Sequence, residues 1–279
     1  LVGEPFMETA VWPPYPWRWT LQGEKDATVV YAVANEPDTF NHLYDAMYCD
    51  MIAYGPSMES LGTWKSAANT TLVPGLATSW TMSPDGKTIN VKLREGVKFH
   101  DGVKFNATDV KATMDAYLDP AYKGIWVSAE KAILGSSENV VITGEYSVAF
   151  KMPQFNMFWD TLLTLPIQPY HVLRTIKPEQ LPTHPYSTGA SSYVVKLSEY
   201  GLPDYTAYGP IGTGPYKFMG WDRVTRASTS VRYDNYWNGT GTGNIKTYMS
   251  RVYTSVDAAF AALKNREIHI IHELLGVDS

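Results

Sequence analysis

A chain of 279 residues, 44% apolar and 18% charged, carries enough nonpolar side chain to bury a sizeable core, which excludes a disordered polymer. Its formal charge of −5, with no basic block to offset it, argues against nucleic acid as a partner. No apolar run approaches the roughly 18 residues that a membrane-spanning helix requires.

Leu1 stands where a starting Met is expected and no signal-like segment precedes it, so the sequence reads as a trimmed chain. The single cysteine, Cys49, rules out an internal disulfide and a multi-thiolate zinc site, and its apolar neighbours make it a buried, inert thiol. In chain order, "VWPPYPWRW" (11–19) cannot be helical because of Pro13, Pro14 and Pro16; it reads as an extended arm whose tryptophans dock on the body. "TVVYAVA" (28–34) is continuously apolar and β-branched, the mark of a buried strand. After the turn "NEPDTFN", Leu43, Met47 and Met51 at i, i+4 spacing, with Tyr44, Tyr48 and Ile52 beside them, predict a helix.

"TINVKLR" (88–94) alternates strictly and predicts a half-buried strand, joined to the preceding segment through the turn "SPDG". Asn106 caps a helix with Asp109 near its positive end, Val110, Met114, Tyr117 and Leu118 on one face, and a stop at Asp119-Pro120. "SVAFKM" (147–152) alternates as a strand. A helix follows with Phe155, Phe158, Trp159, Leu162 and Leu163 on one side, ended by Pro166. Residues 177–210, rich in Pro, Tyr, Ser and Gly, read as a long ordered loop. "STSVRYD" predicts a strand, Ser255 caps a helix with Val256, Ala259, Phe260 and Leu263 inward, and "IHII" (268–271) predicts a last short strand. Strands and helices mix without a regular βαβ beat, which implies an α/β or α+β chain with more than one lobe.

Catalytic signatures fail on inspection. "GVKFHDGVKFNATDV" (96–110) places His100-Asp101 between two Gly-Val-Lys-Phe pieces, but the six histidines form no HxH or HExxH pattern, so Asp101-Gly102 reads as a turn. The similarity stops after four residues, too short for a repeat unit of roughly 20–50. "SPDGKT" lacks the glycine spacing of a phosphate loop, and Pro215 in "GTGPYKF" occupies the place where a dinucleotide fingerprint opens its helix. There is no nucleophile elbow and no supported Cys/His pair.

Three segments together, "LVPGLATSWTMSPDGKTINVKLREGVKFHDGVKFNATDV" (72–110), "GPIGTGPYKF" (209–218) and "DNYWNG" (234–239), resemble the extracellular solute-binding proteins of the oligopeptide, dipeptide and nickel class (family 5), which feed ABC importers. "NEPDTFN", "LPIQPYHVL" (165–173) and "AALKNREIHII" (261–271) extend the resemblance over roughly residues 27–271. The resemblance implies a periplasmic-binding-protein type II-like lobe with an added small domain: residues 1–58 and 140–279 in the first lobe, 59–139 in the small domain, and the second large lobe missing. It implies an extracytoplasmic receptor for a peptide or other small solute, working with the membrane permease of an ABC importer and without cofactor, metal or catalytic residues. Self-association through the surface left by the missing lobe is also expected. A secreted hydrolase acting on peptides or glycans stays open as the alternative, because the aromatics are dense (19 Tyr, 9 Trp) and carboxylate pairs are not excluded by sequence.

The family usually has Gly-Glu-Ile-Asp where this chain reads Arg266-Glu267-Ile268-His269; Asn265 is expected to take the left-handed cap conformation that Gly serves. For the ligand the resemblance implies Asp45 and Tyr48, at the helix start after "NEPDTFN", with helix packing the alternative for Tyr48. It implies Tyr122 and Trp126 in "DPAYKGIW", with packing under that loop the alternative. It also implies Gly212, Gly214, Tyr216 and Lys217, where glycines would let the backbone approach a peptide.

Overall fold

A computed structural model describes residues 26–45, 48–66, 69–239 and 245–271. The arm at 11–19 lies outside these residues. The first half contains β1 (Ala27–Val33), α1 (Tyr48–Tyr54), β2 (Gly62–Ser66), β3 (Asn69–Pro74), β4 (Ala77–Met82), β5 (Thr88–Leu93), α2 (Ala107–Leu118) and α3 (Val127–Leu134). There follow β6 (Val140–Gly144), β7 (Ser147–Lys151), α4 (Thr161–Thr164), α5 (Tyr170–Leu173), α6 (Pro185–Thr188), β8 (Tyr193–Val195) and β9 (Tyr205–Ala207). The last part holds β10 (Tyr216–Asp222), β11 (Ala227–Arg232), β12 (Ile245–Val252), α7 (Val256–Lys264) and β13 (Ile270–Ile271).

Two sheets organise two cores. In the first, ordered β10-β11-β12-β1-β13, the interior strand β1 runs parallel to both β12 and β13. Val29, Tyr31 and Val33 pack with Cys49 and Ile52 of α1, while Val30 and Ala32 pack with Ala259 and Ala262 of α7. A strand covered by a helix on each face must be apolar at every position, which is why this stretch shows no alternation. The second sheet, ordered β4-β5-β7-β6, is antiparallel throughout and has one wet face, so β5 does alternate: Ile89, Val91 and Leu93 are buried and Asn90 and Lys92 are exposed. Helix α2 closes its dry face with Val110, Met114 and Tyr117, and Asn106 and Asp109 form a reciprocal capping box at its start.

The expected junction at 139/140 falls at the start of β6, and the ladder does not break there. Strand β7 pairs with β5 from Thr88↔Lys151 to Lys92↔Ser147, and β6 pairs with β7. Residues 140–151 therefore belong to the same sheet as 77–93, and the core under that sheet continues to Ile211.

Four local readings are corrected. The helix expected from Leu43 begins only at Tyr48, because Asn41 turns the chain: its side chain accepts from Leu43 N at 3.1 Å and its carbonyl from Tyr44 N at 2.9 Å. The helix expected around 155–163 shrinks to α4, since Asn156 accepts from Phe158 N at 2.9 Å in a local turn that leaves Phe155 and Phe158 exposed. In α7, Ser255 caps as expected, but Phe260 points outward: the small Ala259 and Ala262 make the inward stripe that seats the helix on β1. The left-handed residue after α7 is Arg266 (φ 62°), with Asn265 still helical (φ −77°). Glu267 N donates to Ala262 O and Arg266 N to Leu263 O, a double closure that places the strained residue one step past the cap.

Arg266 is exposed, and a side chain in that conformation costs roughly 1 kcal/mol relative to glycine. Arg266→Gly is therefore expected to raise the melting temperature by about 2 °C, read by thermal denaturation.

Candidate functional site

Residues 55–60 and 211–215 run side by side, and the segments that carry the resemblance meet at this crossing. His100 N donates to Gly212 O at 2.9 Å, His100 Nε2 meets Gly214 O at 2.9 Å, and Gly212 N donates to His100 Nδ1 at 3.4 Å. An imidazole that donates from one nitrogen and accepts on the other is neutral, and burial lowers its pKa to about 4. Gly214 N donates to Ser57 O at 3.0 Å. A Cβ on Gly212 would lie 1.9 Å from Ser57 O, and one on Gly214 2.6 Å from Pro56 O, so only glycine allows the two segments this close.

Glu59 completes the crossing. Its carboxyl receives Thr213 Oγ1 at 2.8 Å, Tyr236 Oη at 2.6 Å and Trp237 Nε1 at 2.8 Å, and Arg94 lies 4.2 Å over the Trp237 ring. Burial pushes this carboxyl up to about 7, against the pull of the three donors and Arg94. The cavity beside it is about 40 Å³, room for water but far too little for a solute. Next to His100, Asp101 is held by His171 Nε2 at 2.6 Å, both side chains shut from solvent. Asp109 accepts Asn106 N and Tyr170 N, each at 2.9 Å, and burial raises it to about 6.

All four backbone polar groups of Gly212 and Gly214, expected from the resemblance to approach a peptide, have partners within the chain. Tyr216 is likewise turned into the core of the first lobe, its hydroxyl donating to Ile245 O at 3.1 Å and burial raising it to about 12. Lys217 is half-buried with its ammonium 4.8 Å over the Tyr233 ring, and desolvation lowers its pKa.

Asp45, Tyr122 and Trp126 come together elsewhere, where the loop Asn41–Asp45 of the first lobe meets α3. His42 Nδ1 lies 2.8 Å from Asp45 Oδ1, and Tyr54 Oη donates to the other oxygen. The His42 ring stacks on Trp126 with centroids 6.1 Å apart, and Tyr44 Oη donates to Tyr122 O at 2.9 Å. Trp126 is 38% exposed and Asp45 only 2%, so the group forms an aromatic rim over a buried acid. Tyr48 opens α1; its side chain lies outside the described residues. Sequence reasoning missed His42, Glu59 and Glu130. His42 and Glu130 had local signals, three residues before Asp45 and one helical turn after Trp126; the partners of Glu59 are distant in sequence.

The profile of the bacterial extracellular solute-binding proteins, family 5 (middle region), matches residues 71–278, well over half of the chain. The chain belongs to this family. It is 30% identical over 167 residues to the glutathione-binding protein GsiB of Escherichia coli K12, a match covering 58% of this chain and 26% of that protein. Among solved structures it resembles the oligopeptide-binding protein AppA of Bacillus subtilis, solved in complex with a nonapeptide, at 25% identity and a TM-score of 0.71. That match covers 88% of this chain and 44% of AppA. It shares the fold of the periplasmic binding protein DppA of Helicobacter pylori, at 20% identity and a TM-score of 0.73 over 90% of this chain and 47% of that one. The chain thus spans about a quarter of the curated relative it matches and under half of each solved one.

Two outcomes follow for the crossing. Gly212→Ala is expected to cost more than about 2 kcal/mol, because the Cβ collides with backbone rather than with a movable side chain, and denaturant unfolding reads it. For Glu59 the folded pKa, about 7, lies above the ordinary 4.5 of an unfolded chain. Its contribution is therefore complete below pH 4.5 and is lost as pH rises through 7. His100 acts oppositely, its contribution fading as pH falls from 6.5 toward 4. Glu59→Gln should lower stability at every pH, yet remove a decline on the order of 2 kcal/mol between pH 5 and 8, measured by parallel denaturant titrations of variant and parent.

Proposed function

We propose that this chain forms one lobe, with its inserted domain, of an extracytoplasmic receptor that captures a peptide or other small solute and delivers it to the permease of an ABC importer. The observation that carries this reading is the family match across residues 71–278, joined to a fold likeness to AppA over 88% of the chain. We draw the inserted domain from Glu59 to Ile211, following the second core, with the remainder in the first lobe. The ligand surface in this reading is the rim of Asp45, Tyr122 and Trp126, with Tyr48 at the adjoining helix start and Lys217 on its own strand. Gly212, Gly214 and Tyr216 serve as the frame.

No enzymatic role is assigned. The pair that most resembles catalytic machinery, Asp101–His171, has side chains 0% and 1% exposed, where no substrate reaches it. Among the described residues no helix is long and apolar enough to cross a membrane. A second lobe closing over the rim would desolvate the solute, and self-association is the expected behaviour of a first lobe left uncovered.

Titration calorimetry tests the reading, using the full-length protein and this 279-residue piece against a panel of short peptides and glutathione. We expect micromolar or tighter binding by the full-length protein and at least a hundredfold weaker binding by the piece, whose polar contacts stay open to water. Equal affinity for both would place the whole site within these residues and overturn the two-lobed mechanism.

A further inference from the structure

Phe155, Met157 and Phe158 are exposed by 57%, 70% and 60%, and no other stretch of four described residues turns three large apolar side chains outward. They stand on the turn between β7 and α4, where Pro153-Gln154-Phe155-Asn156-Met157-Phe158-Trp159 carries no charge. The turn is held in place. Asn156 accepts Phe158 N on its side chain at 2.9 Å and Trp159 N on its carbonyl at 3.2 Å, and Phe158 O accepts both Thr161 N and Thr161 Oγ1. Trp159 packs on the second core, Pro153 lies against Gly135 at the end of α3, and the Phe155 ring rests on Gly86 of the β4–β5 turn.

Three side chains of this size, exposed by a little over half, offer on the order of 350 Å² of apolar surface. A stable protein interface takes roughly 800 Å² from each partner, so a second copy or another protein finds less than half of that here. A bilayer asks for less, because a few apolar side chains reaching past the headgroups give weak, reversible attachment. The backbone suits that medium too. The Phe158 and Trp159 amides and the Asn156 and Phe158 carbonyls have their partners within the turn, and they keep them on leaving water. Charge adds little: exposed Lys87 and Lys151, at the neighbouring end of the β5–β7 ladder, stand against Asp85 and Asp160. Such a surface meets a lipid through its hydrocarbon and not through the charge of its headgroup.

We propose that the turn from Phe155 to Phe158 is a membrane-contact site, with Met157 and Phe158 entering the interfacial layer of a bilayer and Phe155 lying along it. Such contact is independent of the receptor reading, since it needs neither a solute nor a permease. A single turn binds shallowly and reversibly, enough to set which face of the molecule meets the lipid.

The full-length protein is mixed with vesicles of phosphatidylcholine, or of phosphatidylcholine with phosphatidylglycerol, and the bound fraction is read by co-sedimentation. We expect partitioning into both, within about twofold of each other and unmoved by about 0.5 M NaCl. Met157→Ser combined with Phe158→Ser, at exposed positions that leave the backbone bonds in place, should lower the partition coefficient by about tenfold or more. Its melting temperature should stay that of the parent. Met157→Leu combined with Phe158→Trp keeps the apolar surface and should partition as tightly as the parent. No partitioning by the parent, or an equal partition coefficient for the serine variant, would overturn the proposal. So would binding confined to the phosphatidylglycerol vesicles and abolished by salt, the behaviour of a basic surface. A parent that elutes as a dimer, with a serine variant that elutes as a monomer, would show that a second copy covers the turn, and the membrane site would fall.

Discussion

His100 fixes the relation on which the rest of the molecule depends. Its neutral ring holds Gly212 through one nitrogen and Gly214 through the other, while its own amide holds the Gly212 carbonyl. The returning chain is thereby pressed onto Ser57 of the outgoing chain, at a distance that no Cβ tolerates. Two connections that might have been independent tethers become one zipped crossing. Glu59 locks it from the other side through Thr213, Tyr236 and Trp237. The two stretches of chain are thus held by backbone and side-chain bonds on both sides of the crossing.

The rim at Trp126 is also built from segments distant in sequence: its loop, Asn41–Asp45, follows β1, and its helix is α3. Ile125 N donates to Leu43 O at 2.9 Å, fastening the two at the point where the aromatic side chains gather.

The buried acids separate structural from functional roles by one criterion, what satisfies them. Glu59 has three neutral donors, Asp109 two backbone amides, and Asp101 an imidazole. All three knit together segments more than fifty residues apart. At Glu130, Oε2 has no such donor among the described residues.

Periodicity and turn chemistry made much of the fold legible in the sequence. Alternation in β5, the unbroken apolar run of β1, the Asn106–Asp109 box and the Ser255 cap are local facts, because each depends on residues within a few positions of one another. The family wording was legible too, and so was the turn at Asp101-Gly102. What the sequence could not decide is where those local pieces close. Asn41 and Asn156 out-competed helix periodicity through short side-chain bonds, Arg266 took the left-handed place expected of Asn265, and β6–β7 joined the inserted sheet because their edge completes its ladder. Above all, Gly212 and Gly214 look in sequence like backbone laid open for a ligand, and only the tertiary structure brings His100 and Ser57 from more than a hundred residues away to occupy them. Sequence by itself determined the elements, their caps and the family; the tertiary structure decided which polar groups are spent on folding and which stay free for a solute, because satisfaction of a buried group depends on partners that proximity along the chain does not reveal.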